Sequence, residues 1–595
     1  MRDVGLITAR RRAPGSLRVA CLGLAALCGL LATVALAQIS ARNGVSIWDI
    51  VRCAIFFVTT IWLAWGAVQA MLGLSGRDDR APLPELAQPQ PPTVLLLPIC
   101  HEDPVAVFAR VAAMDRSIRS AGLEIDIAVL SDSQTEAARD RERAIFAMLL
   151  AETGGTGRIF YRNRSDNRGR KAGNIESFIR RSGGAYDLAI VLDADSLMEG
   201  ETMRGMIARM QAEPDLGLLQ TLPRIIGARS LFGRAIQFSS AFHAPFFTRG
   251  LIRLQGGTGT YWGHNAIFRI RAFAACCGLP ELPGKPPLGG TILSHDYVEA
   301  ALLARGGWRV EIDERFGGSF EEGPENLLTY ARRDRRWCQG NLQHTRLITA
   351  PGLRGWSRFQ FLQGALTYLV SPLWALFLLV SVLATVTTPL PDYFPEPQGL
   401  FPVFPDDPTG GLIALALGIC CLLLLPKIAI WAGVVRTGRV QSFGGAALSS
   451  LSVIAEVLLS SLLAPLMMAY QTHAVAKVLL GHDGGWPAGQ RGEGSLGLAE
   501  SWRASRGIAL TGTALLAAGL HFSPTLIIWL LPVGLPLVAA PLVVAVTSRP
   551  VSTAVFLVSD DIRSSPVVSD FRATFRYWVL PCVDGSVGAR DDLSF

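Results

Sequence analysis

Residues 188–196 read LAIVLDADS: an apolar run that passes straight into two aspartates separated by one alanine. An uninterrupted run of this length suits a strand buried on both faces, as in a parallel sheet. The pattern occurs twice more upstream. Val94–Leu97 leads into a turn holding His101, Glu102 and Asp103, and Ile125–Leu130 ends in Ser131-Asp132-Ser133. Helical patterns lie between, as in Phe108–Ser120 and Asn174–Arg181. Strand, helix, strand in this order predicts an α/β fold with mostly parallel neighbours. All three polar clusters fall at strand C-termini, the edge where open α/β sheets bind ligands.

On both sides of this domain the chain becomes apolar. Of 595 residues, 50% are hydrophobic and only 17% charged, with a mean hydropathy of +0.34. That excludes disorder and an all-soluble protein. A net charge of +7 is modest, and suits cytoplasmic loops rather than nucleic-acid binding. The 10 cysteines include no C-x-x-C pair and read as reduced packing residues. Val19–Gln38 and Ala54–Leu74 are each long enough to span a bilayer. The first follows Arg10-Arg11-Arg12 and resembles a signal peptide, but its long apolar run favours an uncleaved anchor.

Residues 76–92 then form a stiff linker, with five prolines between Pro82 and Pro92. Residues 93–348 contain no segment able to span and form one soluble domain. Spans resume at Leu362–Val386 and Gly411–Val435. The loop between them carries four acidic residues and no Lys or Arg, so it is expected outside. Arg436 and Arg439 place the next turn inside, as do Arg491, Arg503 and Arg506 for the loop 481–506. Phe443–Leu480 is therefore expected to cross an even number of times, as a tight hairpin or a pair of interfacial helices. Ile508–Thr547 reads as a hairpin of two spans broken at Ser523-Pro524, and 549–595 as a basic cytoplasmic tail. The membrane domain covers 349–548, and the total is six or eight crossings.

Asp193 and Asp195 would share one side of an extended segment, because side chains alternate. Such carboxylates repel unless a cation sits near them. Mg²⁺ or Mn²⁺ bridged to a diphosphate would satisfy them, and a solvated strand end is the alternative. Asp132 could accept hydrogen bonds from a nucleobase or ribose, or simply initiate its turn. The basic stretch RNRSDNRGRKAGN (162–174) precedes a helix and suits phosphate, or is a solvated loop. Asp296 starts a helix in LSHDYVEAALLARGG, as a cap or as a catalytic base. Trp337 lies in RRDRRWCQGN, as a platform for a sugar ring or as an interfacial tryptophan.

In order, Asp132, D-A-D at 193–195, S-H-D at 294–296 and R-R-W at 335–337 resemble the processive family 2 glycosyltransferases, such as cellulose and hyaluronan synthases. Two pieces depart from the pattern of those synthases. Ser294-His295-Asp296 stands for T-E-D, and Arg333 occupies the Gln position of Q-x-x-R-W. GHNAIFR (263–269), SHDYVEAA (294–301) and DRRWCQGNL (334–342) are similar to one branch, the glucans biosynthesis glucosyltransferase H family.

The resemblance covers about residues 93–550. It implies a GT-A-like cytoplasmic domain, mostly parallel in its sheet, inserted in an all-α multi-span domain of the bacterial inner membrane. It implies UDP-glucose as donor, Mg²⁺ (or Mn²⁺) as cofactor, and a β-1,2-linked glucan backbone as product. Asp132 would contact the uridine, with Glu102 and Lys171 near the nucleotide. Asp193 and Asp195 would handle diphosphate and metal. Asp296 would take the proton of the acceptor hydroxyl. Arg336 would steady the leaving diphosphate, and Trp337 would stack on the acceptor glucose. The partners implied are the growing glucan, the bilayer, an acyl carrier protein and periplasmic glucan-processing proteins, although no docking signature for the carrier is visible.

The glycine-rich loop GHDGGWPAGQRGEG (481–494) lies where related synthases carry a gating loop, with Trp486 as its one tryptophan. Lys427 and Glu456 lie in apolar segments and are candidates to line a glucan path. Competing readings are another processive synthase, single-sugar transfer to a lipid carrier, and a transporter or scaffold with a degenerate nucleotide-binding domain. Retention of Asp132, Asp193, Asp195 and Asp296 supports catalysis.

Overall fold

The computed structural model describes residues 15–41, 45–75, 82–387, 409–483, 494–522 and 526–583. Ten strands lie in the soluble domain: β1 (Thr93–Ile99), β2 (Ile125–Ser131), β3 (Ile159–Asn163), β4 (Leu188–Val191), β5 (Leu197–Met198), β6 (Leu216–Thr221), β7 (Arg224–Ile226), β8 (Ala266–Arg269), β9 (Arg309–Asp313) and β10 (Ser319–Glu322). The main sheet has the order β3-β2-β1-β4-β8-β6-β9. Only β8 runs antiparallel to its neighbours, so the fold is the mostly parallel, GT-A-like one expected.

The apolar runs are explained by the two faces of this sheet. Leu95 and Leu97 of β1, Ile127 and Val129 of β2 and Ile190 of β4 join one core. Val94, Leu96, Ala128, Leu130, Ala189 and Val191 join the other. Alternate side chains point to opposite faces, and both faces are covered. A second, small sheet, β5-β10-β7, stands beside the C-terminal end of β4.

Among the described residues, five helices are long and apolar enough to cross a membrane: Gly15–Ala41, Ile47–Leu74, Gly355–Thr387, Thr409–Arg436 and Gly445–Leu479. The pair Ile527–Val538 and Ala540–Thr547, bent by 56°, adds a sixth if counted as one span. Several helix ends rest on the soluble domain. Arg18 donates to the carbonyls of Leu254 and Gln255 at 2.7 and 2.9 Å. Gln360 donates to Thr258 O at 3.1 Å.

The tightest junction joins Ile47–Leu74 to the domain helix Ala244–Gln255. A Cβ at Gly73 would lie 1.9 Å from the Phe246 carbonyl oxygen, and one at Gly250 would lie 1.9 Å from that of Gln69. Backbones can approach this closely only through glycine. Arg253 closes the seam by donating to Leu72 O at 2.7 Å. Residues 82–92 of the proline-rich linker also lie against the domain, with Ala87 N–H donating to Gln211 at 3.0 Å.

Phe443–Leu480 departs from the expected hairpin or helix pair. Gly445–Leu479 is one continuous helix, with Pro465 inside it. The positive-φ glycines that could turn the chain, Gly444, Gly445 and Gly481, lie at its ends. It touches the soluble domain and the C-terminal segment at several points. Ser452 accepts from Phe556 N–H, Leu466 packs with Phe232 and Leu328, Gln471 donates to Asp334, and Val475 packs on Cys338.

Lys427 and Glu456 pair with each other at 2.6 and 2.8 Å, at the wall of a cavity of about 530 Å³ lined mainly by apolar groups such as Phe232, Phe247 and Met467. Mutual pairing accounts for both charges without a polar path. The 549–595 segment is more than a tail: Pro566–Val583 is a helix, and its Val567, Val568 and Trp578 are buried in the main core.

Candidate active site

β4 delivers Asp193 to the sheet edge, but the D-A-D segment is a turn and not an extended strand. Asp193 N–H donates to Ser196 Oγ at 3.2 Å, and Ser196 N–H donates to Asp193 O at 3.0 Å. Strand alternation therefore does not set the two carboxylates, because Ser196 offers the backbone a competing turn. Asp195 is buried, and Asp193 is ion-paired to Lys171.

Lys171 lies in the first turn of the helix Arg170–Ser182, at the end of the basic loop. The same ammonium donates to Gly263 O at 2.7 Å. Gly263 has φ +88°, which favours glycine, and it packs beside Asp296. Lys171 thus links the D-A-D turn to the wall that carries Asp296.

Asp132 sits buried at the end of β2. Its oxygens accept from Arg164 Nη2 and Asn174 Nδ2, both at 2.9 Å. It therefore anchors the basic loop to the sheet. Glu102 accepts from Cys100 N–H at the end of β1. Its neighbour Asp103 starts the helix Pro104–Ser120 and pairs with Arg141 at 2.9 Å.

Asp296 occupies the first turn of the helix His295–Arg305. Burial pushes its carboxyl above the usual range; His295 opposes the rise, Glu299 adds to it, and Lys171 opposes it more weakly. Burial also works against a charged His295, but Glu299, 3.1 Å away, more than offsets it and its pKa is raised.

The R-R-W motif lies on the helix Leu327–His344, which clamps the S-H-D turn. His344 Nε2 donates to Ser294 O at 2.8 Å, and Gln343 Oε1 accepts from Leu293 N–H at 3.0 Å. A Cβ at Gly340 would lie 2.2 Å from Ser294 Oγ, so only glycine permits this approach. Arg336 is half-buried and Trp337 is 36% exposed. Gln339 donates to Asp483 at 2.8 Å, at the entry to the glycine-rich loop. Trp486 lies outside the described residues.

Three further residues border the site, and of these only Arg333 was named from the sequence, as a departure from the motif. Arg333, at the Gln position of the motif, lies over the Trp337 ring at 4.7 Å. Glu321 on β10 faces both aspartates. Its carboxyl is raised first by burial and further by Asp195 and Asp193, against the pull of His264 and Arg333. His264 Nε2 stands 3.4 Å from it. The adjacent carboxylates Glu321-Glu322 are the one signal in the sequence that could have pointed there.

Residues 188–433 match the family described as Glycosyl transferase family group 2. Glucans biosynthesis glucosyltransferase H of Cereibacter sphaeroides is 51% identical over 547 residues, covering 91% of each chain. The chain belongs to the glucans biosynthesis glucosyltransferase H family. The relative from Rhodopseudomonas palustris strain BisA53 is 41% identical over 86% of this chain and 73% of its own. That from Xylella fastidiosa is 37% identical over 91% and 87%. A solved mannosyltransferase from Pyrobaculum calidifontis, in complex with GDP-Man and Mn²⁺, shares 15% identity over 73% of this chain and 99% of its own, with a TM-score of 0.45. Family membership agrees with the motif order Asp132, D-A-D, S-H-D and R-R-W, now seen around one sheet edge.

Among the described residues no group of three or more His, Cys, Asp or Glu side chains could hold a metal by itself. A Mg²⁺ bound by one or two carboxylates plus substrate phosphates needs no such group. The buried Asp195 beside Asp193, with Glu321 raised by both, is a concentration of negative charge that fits such an ion.

Proposed function

We propose that this chain is an inverting glucosyltransferase that polymerises glucose from UDP-glucose into the β-1,2-linked backbone of osmoregulated periplasmic glucans. It works at the cytoplasmic face of the bacterial inner membrane and passes the product across. One observation carries the reading. Asp296, with its raised carboxyl, is linked through Gly263 and Lys171 to Asp193 and roofed by the helix bearing Trp337.

Asp296 accepts the proton of the acceptor hydroxyl as that oxygen attacks the anomeric carbon, and burial raises its pKa in the direction that strengthens a base. Trp337 stacks on the acceptor sugar, and Arg336 steadies the diphosphate as it leaves. Asp132 and Glu102 border the nucleotide at the ends of β2 and β1. Lys171 neutralises Asp193 and orients the turn. Asp193 and Asp195 would hold Mg²⁺, which supplies Lewis-acid stabilisation of the leaving diphosphate.

Protein reconstituted in lipid and given UDP-[¹⁴C]glucose with Mg²⁺ is expected to yield a β-1,2-glucan. Asp296→Asn should lose about 10²- to 10⁴-fold in kcat while still binding UDP. A polymer of another linkage would remove the product assignment. Full activity in Asp296→Asn would remove the base.

A further inference from the structure

Arg110 is buried on the helix Pro104–Ser120 and has had no role assigned to it in transfer. Its guanidinium makes three contacts. Nη1 donates to the carbonyl oxygen of Ala194 at 3.1 Å, the residue between the two site aspartates. Nη2 pairs with Glu322, the neighbour of Glu321. Its face rests over the ring of Phe571, 4.6 Å from the centroid.

Phe571 belongs to the C-terminal helix Pro566–Val583. That helix is fastened firmly to the domain. Arg116 pairs with Asp570 at 2.8 Å, and Trp578 Nε1 donates to Glu152 at 2.6 Å. Ser565, just before the helix, donates to Glu199, the residue that follows β5.

We propose that Arg110 is a positioning residue for the Asp193-Ala194-Asp195 turn, and that the C-terminal helix sets its orientation through Phe571. The inference rests on reading that turn as the metal–diphosphate site. A guanidinium is rigid and planar. The plane that lies on Phe571 therefore also fixes where the two terminal nitrogens point. The bond to Ala194 O restrains the peptide plane leading into Asp195, and hence the direction of that carboxylate. The pair with Glu322 restrains β10, which carries Glu321. A single side chain thus ties both walls of the acidic site to the end of the chain. Arg110 Nε is buried and has no hydrogen-bond partner among the described residues, so no further bond opposes tilting once the ring is gone.

The test uses full-length protein in lipid and reads Mn²⁺ binding without turnover, by electron paramagnetic resonance at saturating UDP. Phe571→Ala and Phe571→Leu should both weaken Mn²⁺ roughly two- to fivefold, the size of one lost cation–π contact. Leu retains the apolar volume, so it separates the π face from simple packing. Phe571→Tyr should bind as wild type. Arg110→Lys should weaken Mn²⁺ about tenfold, because an ammonium is a point charge without the planar fork. UDP binding without metal should be unchanged throughout. Unaltered Mn²⁺ affinity in Phe571→Leu and Arg110→Lys, whatever happens to Tm, would overturn the proposal. Absence of Mn²⁺ binding in wild type would instead overturn the reading of the site on which it rests.

Discussion

Lys171 pairs with Asp193 and holds the Gly263 carbonyl that walls Asp296, so one ammonium connects the D-A-D turn to the start of the helix His295–Arg305. The pH behaviour of Asp296 follows from its surroundings. Its folded pKa is raised above the unfolded value of about 3.9, so its charged form is disfavoured by folding. Activity should therefore fall as pH drops through an acid limb displaced upward from 3.9, read as kcat/KM against pH. The stability sign runs opposite to that of a paired aspartate. Above the unfolded pKa the ionised Asp296 costs stability, so Asp296→Asn should melt no lower than wild type at pH 7, in a thermal scan.

Trp337 gives a second residue-scale expectation. Trp337→Ala should raise KM for a glucan acceptor roughly tenfold or more, while Trp337→Phe keeps a stacking face and most of the affinity, as measured by initial rates against acceptor concentration. The four aspartates were legible because each follows an apolar run or opens a helix in a known order. Glu321 and His264 were not. They meet only because β10 and the segment before β8 come together, and no local pattern announces that approach.

Helices show the same division between local and tertiary information. The helix Leu327–His344 was marked by its motif, but its grip on Ser294 was not. Gly340→Ala would drive a methyl into Ser294 Oγ, against a position already held by Gln343 and His344. It should cost about 1–3 kcal/mol of stability by thermal or denaturant unfolding, and misplace Asp296 enough to lower kcat. The strands were readable because burial on both faces writes a continuous apolar run. The helix Gly445–Leu479 was not, since charge in the neighbouring loops specifies an even number of crossings and cannot tell a hairpin from a helix lying against the domain. The C-terminal helix was missed for a related reason: Val567, Val568 and Trp578 are too few apolar residues to signal a docking face until the core they complete is known.

At the scale of the whole molecule, the soluble domain is locked to the membrane region by backbone contact. Gly250→Val would place side-chain carbon on the Gln69 carbonyl. It should loosen the junction, lower Tm, and increase proteolytic cleavage within residues 76–92, scored on gels after limited digestion. Wild-type protein should resist cleavage within residues 82–92, which lie against the domain through Ala87. Backbone-to-backbone seating at Gly73 and Gly250 leaves little room for the domain to swing against the helix Ile47–Leu74. For a polymerising reaction, the product is then the moving part: each new sugar must push its predecessors along by its own length, and the work of that displacement comes from the free energy of the bond just made.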